Sequence, residues 1–73
     1  QNKIMIELTA SEKENATVEI RNSLGRQVLT KRLQVMTGKN LIELNVEDIS
    51  EGVYFVTINA GNINLCRKIM IAR

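Results

Sequence analysis

Histidine does not occur among the 73 residues, and cysteine occurs once, at Cys66. Ser-His-Asp and Cys-His nucleophilic arrangements are therefore excluded. No internal disulfide can form, and a zinc site would have to be assembled from one thiolate and carboxylates, a poor donor set. Paired carboxylates can perform acid–base work, and Glu47, Asp48 and Glu51 are the cluster to weigh. Their polar setting reads as a solvated loop, and the spacing lacks the Asp-x-Asp-x-Asp-Gly order of a calcium loop. Gly25 and Gly52 read as turn glycines, because no glycine-rich run precedes a helix and no phosphate cradle results. Cys66 reads as a small apolar core residue; the alternative is an intermolecular disulfide or a reactive thiol beside Arg67 and Lys68. Tyr54 and Phe55 are consecutive, so on a strand they point to opposite faces. They cannot form one platform for a sugar, and one of the two is expected in the core. These residue types point to a non-enzymatic chain with no catalytic, cofactor or metal site.

Charge and hydropathy exclude two further classes. The net charge is +2, and the lysines and arginines are scattered from Lys3 to Arg73. Nucleic-acid binders concentrate such residues in a stripe, often with stacking aromatics, and this chain has no tryptophan. Residues 53–56 and 69–72 are the longest apolar runs, far short of the roughly 20 residues a membrane helix needs. No segment reads as a signal peptide, and membrane insertion is not expected. The chain opens without an initiator methionine, so residues 1–73 are expected to be a single domain cut from the end of a larger protein. A domain this small buries roughly 60% of its unfolded surface.

The elements that would position these residues follow from a period near two. Ile4, Ile6 and Leu8 share one face of an expected strand at 3–9, and Ala16, Val18 and Ile20 one face of another at 16–22. The polar stretch at 11–15 between them reads as a hairpin loop. Asn22-Ser23-Leu24-Gly25 is a turn, followed by a strand at 26–35 whose uneven alternation leaves its buried face open. Thr37-Gly38-Lys39-Asn40 is a second turn and 41–46 a fourth strand. Residues 47–52 form a short crossover in which Ile49 is expected to plug the core. The strand at 52–58 is rich in β-branched and aromatic residues and apolar on both faces near 53–56, which predicts a central strand covered on both sides at one end. Asn59-Ala60-Gly61-Asn62 is a hairpin turn. A last strand at 63–72 carries Ile63, Leu65, Arg67, Ile69 and Ile71 on one face; the charge within that row predicts a bulge or an edge position. The whole reads as an antiparallel all-β sandwich or barrel of about six strands.

The order of these segments resembles a known family. Residues 18–28, with Asn22, Gly25 and Arg26, resemble the strand followed by Asp-x-x-Gly-(Lys/Arg)-x-Val of the type IX (Por) secretion-system C-terminal sorting domains, type A. Asn22 stands where the family usually has aspartate. Residues 44–58 look like the Leu-(Ser/Pro)-x-Gly-x-Tyr-x-(Val/Leu) element, with Ser50 where proline is frequent. The ending, 67–73, is similar to the family's terminal Lys-(Ile/Leu/Val)-x-(Val/Ile)-x-(Lys/Arg) strand. The opening residues, 1–6, fit the strand after its Pro-Asn-Pro signature, which would lie just upstream.

The resemblance implies an immunoglobulin-like antiparallel β-sandwich of six to seven strands. It also implies a role as a sorting signal at the C-terminus of cargo proteins in Bacteroidetes, with delivery through the periplasm and outer membrane to the cell surface. The implied partners are outer-membrane type IX translocon components and a sortase-like signal peptidase, with no nucleic acid and no cofactor. The family motif positions expected to serve translocon recognition are Gly25, Gly52, Tyr54, Lys68, Ile69, Met70, Ile71 and Arg73. An exposed sheet edge makes the last strand the natural contact, and loss of an upstream strand would favour a dimer or strand swap. The competing reading is an immunoglobulin- or fibronectin-like spacer or adhesion module. A polysaccharide-binding accessory domain is disfavoured by the scarcity of aromatics.

Overall fold

The computed structural model describes residues 2–73, and among them are six strands. They are β1 (Lys3–Ala10), β2 (Glu14–Asn22), β3 (Gln27–Val35), β4 (Gly38–Asn45), β5 (Gly52–Ala60) and β6 (Ile63–Ile71). Two antiparallel sheets result, one of two strands ordered β1-β4 and one of four ordered β3-β2-β5-β6. The chain changes sheet after β1, after β3 and after β4, and makes hairpins only between β2 and β3 and between β5 and β6. The expected all-β, immunoglobulin-like sandwich is the fold.

The stretch after β1 is therefore not a hairpin loop. β1 pairs with β4 from Lys3↔Asn45 to Ala10↔Gly38, and residues 11–13 carry the chain across to the other sheet. The reason is burial: Leu8 and Ala10 of β1 and Ala16, Val18 and Ile20 of β2 are all buried. Rows of this kind exclude water by facing one another across a core, whereas as neighbours in one sheet they would still need a cover. β4 begins earlier than expected, at Gly38, because Asn40 fastens the preceding bend. Its Oδ1 accepts the Met36 N–H at 2.8 Å while its Nδ2 donates to the Met36 carbonyl at 2.8 Å.

The core lies between the sheets. The central strands β2 and β5 supply Val18, Ile20, Val56 and Ile58, and β4 supplies Ile42 and Leu44. Val35 and Ile71 close it from the edge strands, and Ile49 packs against it from the β4–β5 crossover. The open question about the third strand is settled: Leu29, Leu33 and Val35 face inward and Arg32 outward. Tyr54 is the aromatic inside. Its hydroxyl donates to the Ser50 carbonyl at 2.7 Å, the tyrosine-corner arrangement of β-sandwiches.

Three expectations change. β5 is central but is not covered on both sides: Val53 is half-buried and Phe55 is 37% exposed, since among the described residues no layer packs on the outer face of the four-stranded sheet. Cys66 is exposed, opposite Thr57, because it lies one residue out of phase with the inward row of β6. Arg67 reflects an edge position rather than a bulge: β6 pairs with β5 without a register break from Gly52↔Ile71 to Ala60↔Ile63. The irregularity in the larger sheet falls instead between Ile20 and Arg21, in the β2–β3 pairing.

Removing buried methylenes leaves a cavity that a close-packed core only partly fills. Ile58→Ala is expected to lower unfolding stability by about 2–5 kcal/mol, and Tyr54→Phe by about 1 kcal/mol through its lost hydrogen bond. Cys66→Ser should stay within about 0.5 kcal/mol of the parent, as exposed substitutions do. Urea denaturation of the three variants checks this order.

Candidate functional site

The three motif-bearing segments are far apart in sequence and meet at one pole of the sandwich. The first is the β2–β3 turn. The Asn22 side-chain Oδ1 accepts the Leu24 N–H at 3.0 Å and the Arg26 N–H at 2.9 Å. On the main chain, Gly25 N–H donates to the Asn22 carbonyl and Asn22 N–H to the Arg26 carbonyl, both at 2.9 Å. Asparagine and aspartate both offer that Oδ1, so the departure from the family's aspartate loses neither bond. Gly25 has φ = 85°, a conformation costly for a side chain with a Cβ. The Arg21 guanidinium donates to the Gly25 carbonyl at 3.0 Å and pairs with Glu19 at 3.3 Å. Leu24, at the tip, is 91% exposed.

The second segment is the β4–β5 crossover. Val46 N–H donates to the Asn2 carbonyl at 2.8 Å and Ile49 N–H to the Val46 carbonyl at 3.0 Å. The Asn45 side chain accepts the Glu47 N–H at 3.0 Å. Glu47, Asp48 and Glu51 are exposed, as a solvated loop requires. Gly52, at φ = 154°, swings the chain into β5, two residues before the Tyr54 ring turns back to hold Ser50.

The third segment is the end of β6. The Arg73 guanidinium donates to the carbonyls of Val46 and Ile49, and its main-chain N–H donates to Glu51 Oε1 at 3.2 Å. The last residue thus ties the last strand to the crossover. Two hollows flank the junction. A polar cleft of about 440 Å³ opens between the first turn and the crossover, lined by Asn22, Arg26, Gln27, Asp48, Ser50 and Tyr54 among others. A shallow recess of about 270 Å³ lies on the outer side, where Val53 and Met70 meet Gly52, Ile71 and Ala72. Among the described residues no group of three or more His, Cys, Asp or Glu side chains could hold a metal.

The residues singled out in the sequence divide into three sets. Gly25, Gly52 and Arg73 build the pole. Tyr54 and Ile71 are buried beneath it, at 7% and 0% exposure. On β6, Lys68 and Met70 point outward, opposite Phe55 and Val53, while Ile69 faces inward and is half-buried. The apolar row of the last strand does share one face, but it is the inner one; what the strand offers to solvent is Lys68 and Met70. Sequence reasoning missed the Arg73 closure, which spans 22 to 27 residues and leaves no local signal. The double acceptor at Asn22 was readable as a turn residue but not as the clamp it forms.

The family model described as "Secretion system C-terminal sorting domain" matches residues 1–72. No curated protein and no solved structure matches the chain. With the motif segments assembled at one end and the family match running almost the full length, the chain belongs to the C-terminal sorting domains of type IX secretion.

Proposed function

We propose that this domain is the C-terminal address of a cargo protein, read at the outer-membrane translocon through the pole and the outward side of β6. The family is one of sorting signals and not of enzymes, and membership implies dealings with the secretion machinery and export to the cell surface or beyond. The observation that carries the finer reading is the Arg73 closure, which joins the end of the last strand to the crossover. Three sequence motifs become one contiguous surface, and a partner can read that surface only while the sandwich is folded.

Within it the residues have different tasks. Lys68 and Met70 are accessible and are the contacts. Met70 is 68% exposed opposite Val53, and Lys68 is exposed opposite Phe55. Apolar area ringed by charge is the usual make-up of a protein-binding patch. Gly25 and Gly52 shape the turns, Tyr54, Ile69 and Ile71 hold them from inside, and Arg73 joins them. Passage across the periplasm and removal by a sortase-like peptidase complete the reading.

A reporter fused ahead of this domain, in a bacterium with the type IX machinery, tests it. Deleting residues 68–73 should leave the reporter in the periplasm. Because that deletion also removes core packing, Lys68→Glu combined with Met70→Glu provides the second arm, with unchanged thermal unfolding and surface display lowered about tenfold, the effect of roughly 1.4 kcal/mol of lost recognition. Parental display from both variants would take β6 out of the recognised surface.

A further inference from the structure

The outer face of the four-stranded sheet is uneven in charge and polarity. Side chains alternate along a strand, so this face carries the residues one step out of phase with the core rows. Away from the pole they are neutral and polar, with Thr17, Asn59 and Asn64 side by side across β2, β5 and β6. Toward the pole they turn apolar. Val53 stands opposite Met70, and the adjoining row runs Arg21, Phe55, Lys68. Of the eight acidic residues in the chain, only Glu19 lies on this face among the described residues, and Arg21 pairs with it at 3.3 Å. Lys31 and Arg67 belong to the inward rows of β3 and β6 and add nothing here. Lys68 and Arg32 remain, both exposed, and no carboxylate pairs with either among the described residues. The outward face of the small sheet is balanced instead: Lys3 and Lys39 stand with Glu7 and Glu43, and Lys3 pairs with Glu43 at 3.7 Å.

The apolar part of the face is not flat. The recess of about 270 Å³ opens at Val53 and Met70. Glu51 lines it too, and its carboxylate already accepts the Arg73 main-chain N–H at 3.2 Å. Lys68 lies two residues from Met70 on the same side of β6, about 7 Å along the strand. A hollow, an apolar rim and one unpaired cation beside them therefore occupy one corner of the sheet. A lipid surface is a poor match for this corner. Binding to anionic headgroups calls for a cluster of roughly four to eight basic residues, and a bilayer does not fill a recess. A protein side chain does.

We propose that the partner that reads β6 presents an acidic protein surface carrying one large apolar side chain. The side chain enters the recess at Val53 and Met70, and a carboxylate beside it meets Lys68. The inference rests on the sorting reading above and supplies the chemistry of what does the reading. The two contacts have different tasks. Filling a desolvated pocket is the usual anchor of a protein interface. Charge complementarity at its rim speeds encounter and rejects wrong partners, and the scarcity of acids on this face leaves an acidic partner unopposed.

The display reporter tests this with variants that differ in the sign of one charge. Cys66 is exposed on the same face, two residues from Lys68 and opposite Thr57. Cys66→Lys should display at or above the parental level, and Cys66→Glu about fivefold below Cys66→Lys, the effect of about 1 kcal/mol. Val53→Phe fills the recess and should lower display about tenfold. Thermal unfolding of each purified variant verifies that the fold is kept. Equal display from the two Cys66 variants, with display lost when Lys68→Glu and Met70→Glu are combined, would overturn the acidic partner and leave the sorting reading standing. Parental display from that double variant would remove both. Sedimentation of the purified domain with phosphatidylglycerol vesicles, absent with phosphatidylcholine vesicles and abolished by Lys68→Glu, would assign the face to a lipid surface and overturn the proposal.

Discussion

The inner faces of β2 and β5 have to be covered, and the rest of the molecule is arranged around that need. Val18, Ile20, Val56 and Ile58 lie at 0–2% exposure in the middle of a four-stranded sheet. The lid over them is only two strands wide. With one cysteine and, among the described residues, no cluster of side chains that could hold a metal, this contact between a wide sheet and a narrow one is the main source of cohesion a domain of this size has. The three changes of sheet follow from it, since each carries the chain from one side of the core to the other. The charged residues in the inward rows follow as well. Lys31 and Arg67 stand where the lid ends, and an inward charge on an edge strand also discourages unwanted pairing.

The same economy accounts for the pole. A narrow lid leaves the ends of the sandwich to be closed by loops, and here the loops are closed with main-chain hydrogen bonds instead of apolar bulk. Asn22 satisfies two amides of one turn, Tyr54 binds Ser50, and Arg73 binds the carbonyls of Val46 and Ile49. Groups that would otherwise lose water without a partner are paired. Two of the family's motif positions, Tyr54 and Arg73, make these closures, and Gly25 and Gly52 shape the turns they hold. On the proposed reading, the address is a shape produced by folding.

Much of this was legible in the chain because period-two rows are a local signal. Ile4, Ile6 and Leu8, and likewise Ala16, Val18 and Ile20, declare both their strands and their buried faces. The partner of each strand was not legible. A polar link of three residues between β1 and β2 serves a hairpin and a crossover equally well, and the choice is made by which apolar rows cover each other across the core. Cys66, and the cover expected on both faces at 53–56, were misjudged for a related reason. Residue type argued for burial, yet the phase of the strands turns Cys66, Val53 and Phe55 outward, onto a sheet face that no other described element covers. The Arg73 closure left no local signal because its partners are 22 to 27 residues away.

Arg73 holds the pole together. Native-state hydrogen exchange on the intact chain and on Arg73→Ala measures this most directly. The Ile49 amide, bonded to the Val46 carbonyl, should exchange faster in the variant, while the amides of Val18 and Ile58 in the central strands keep their rates. Unchanged exchange at Ile49, or a uniform acceleration throughout the core, would contradict it.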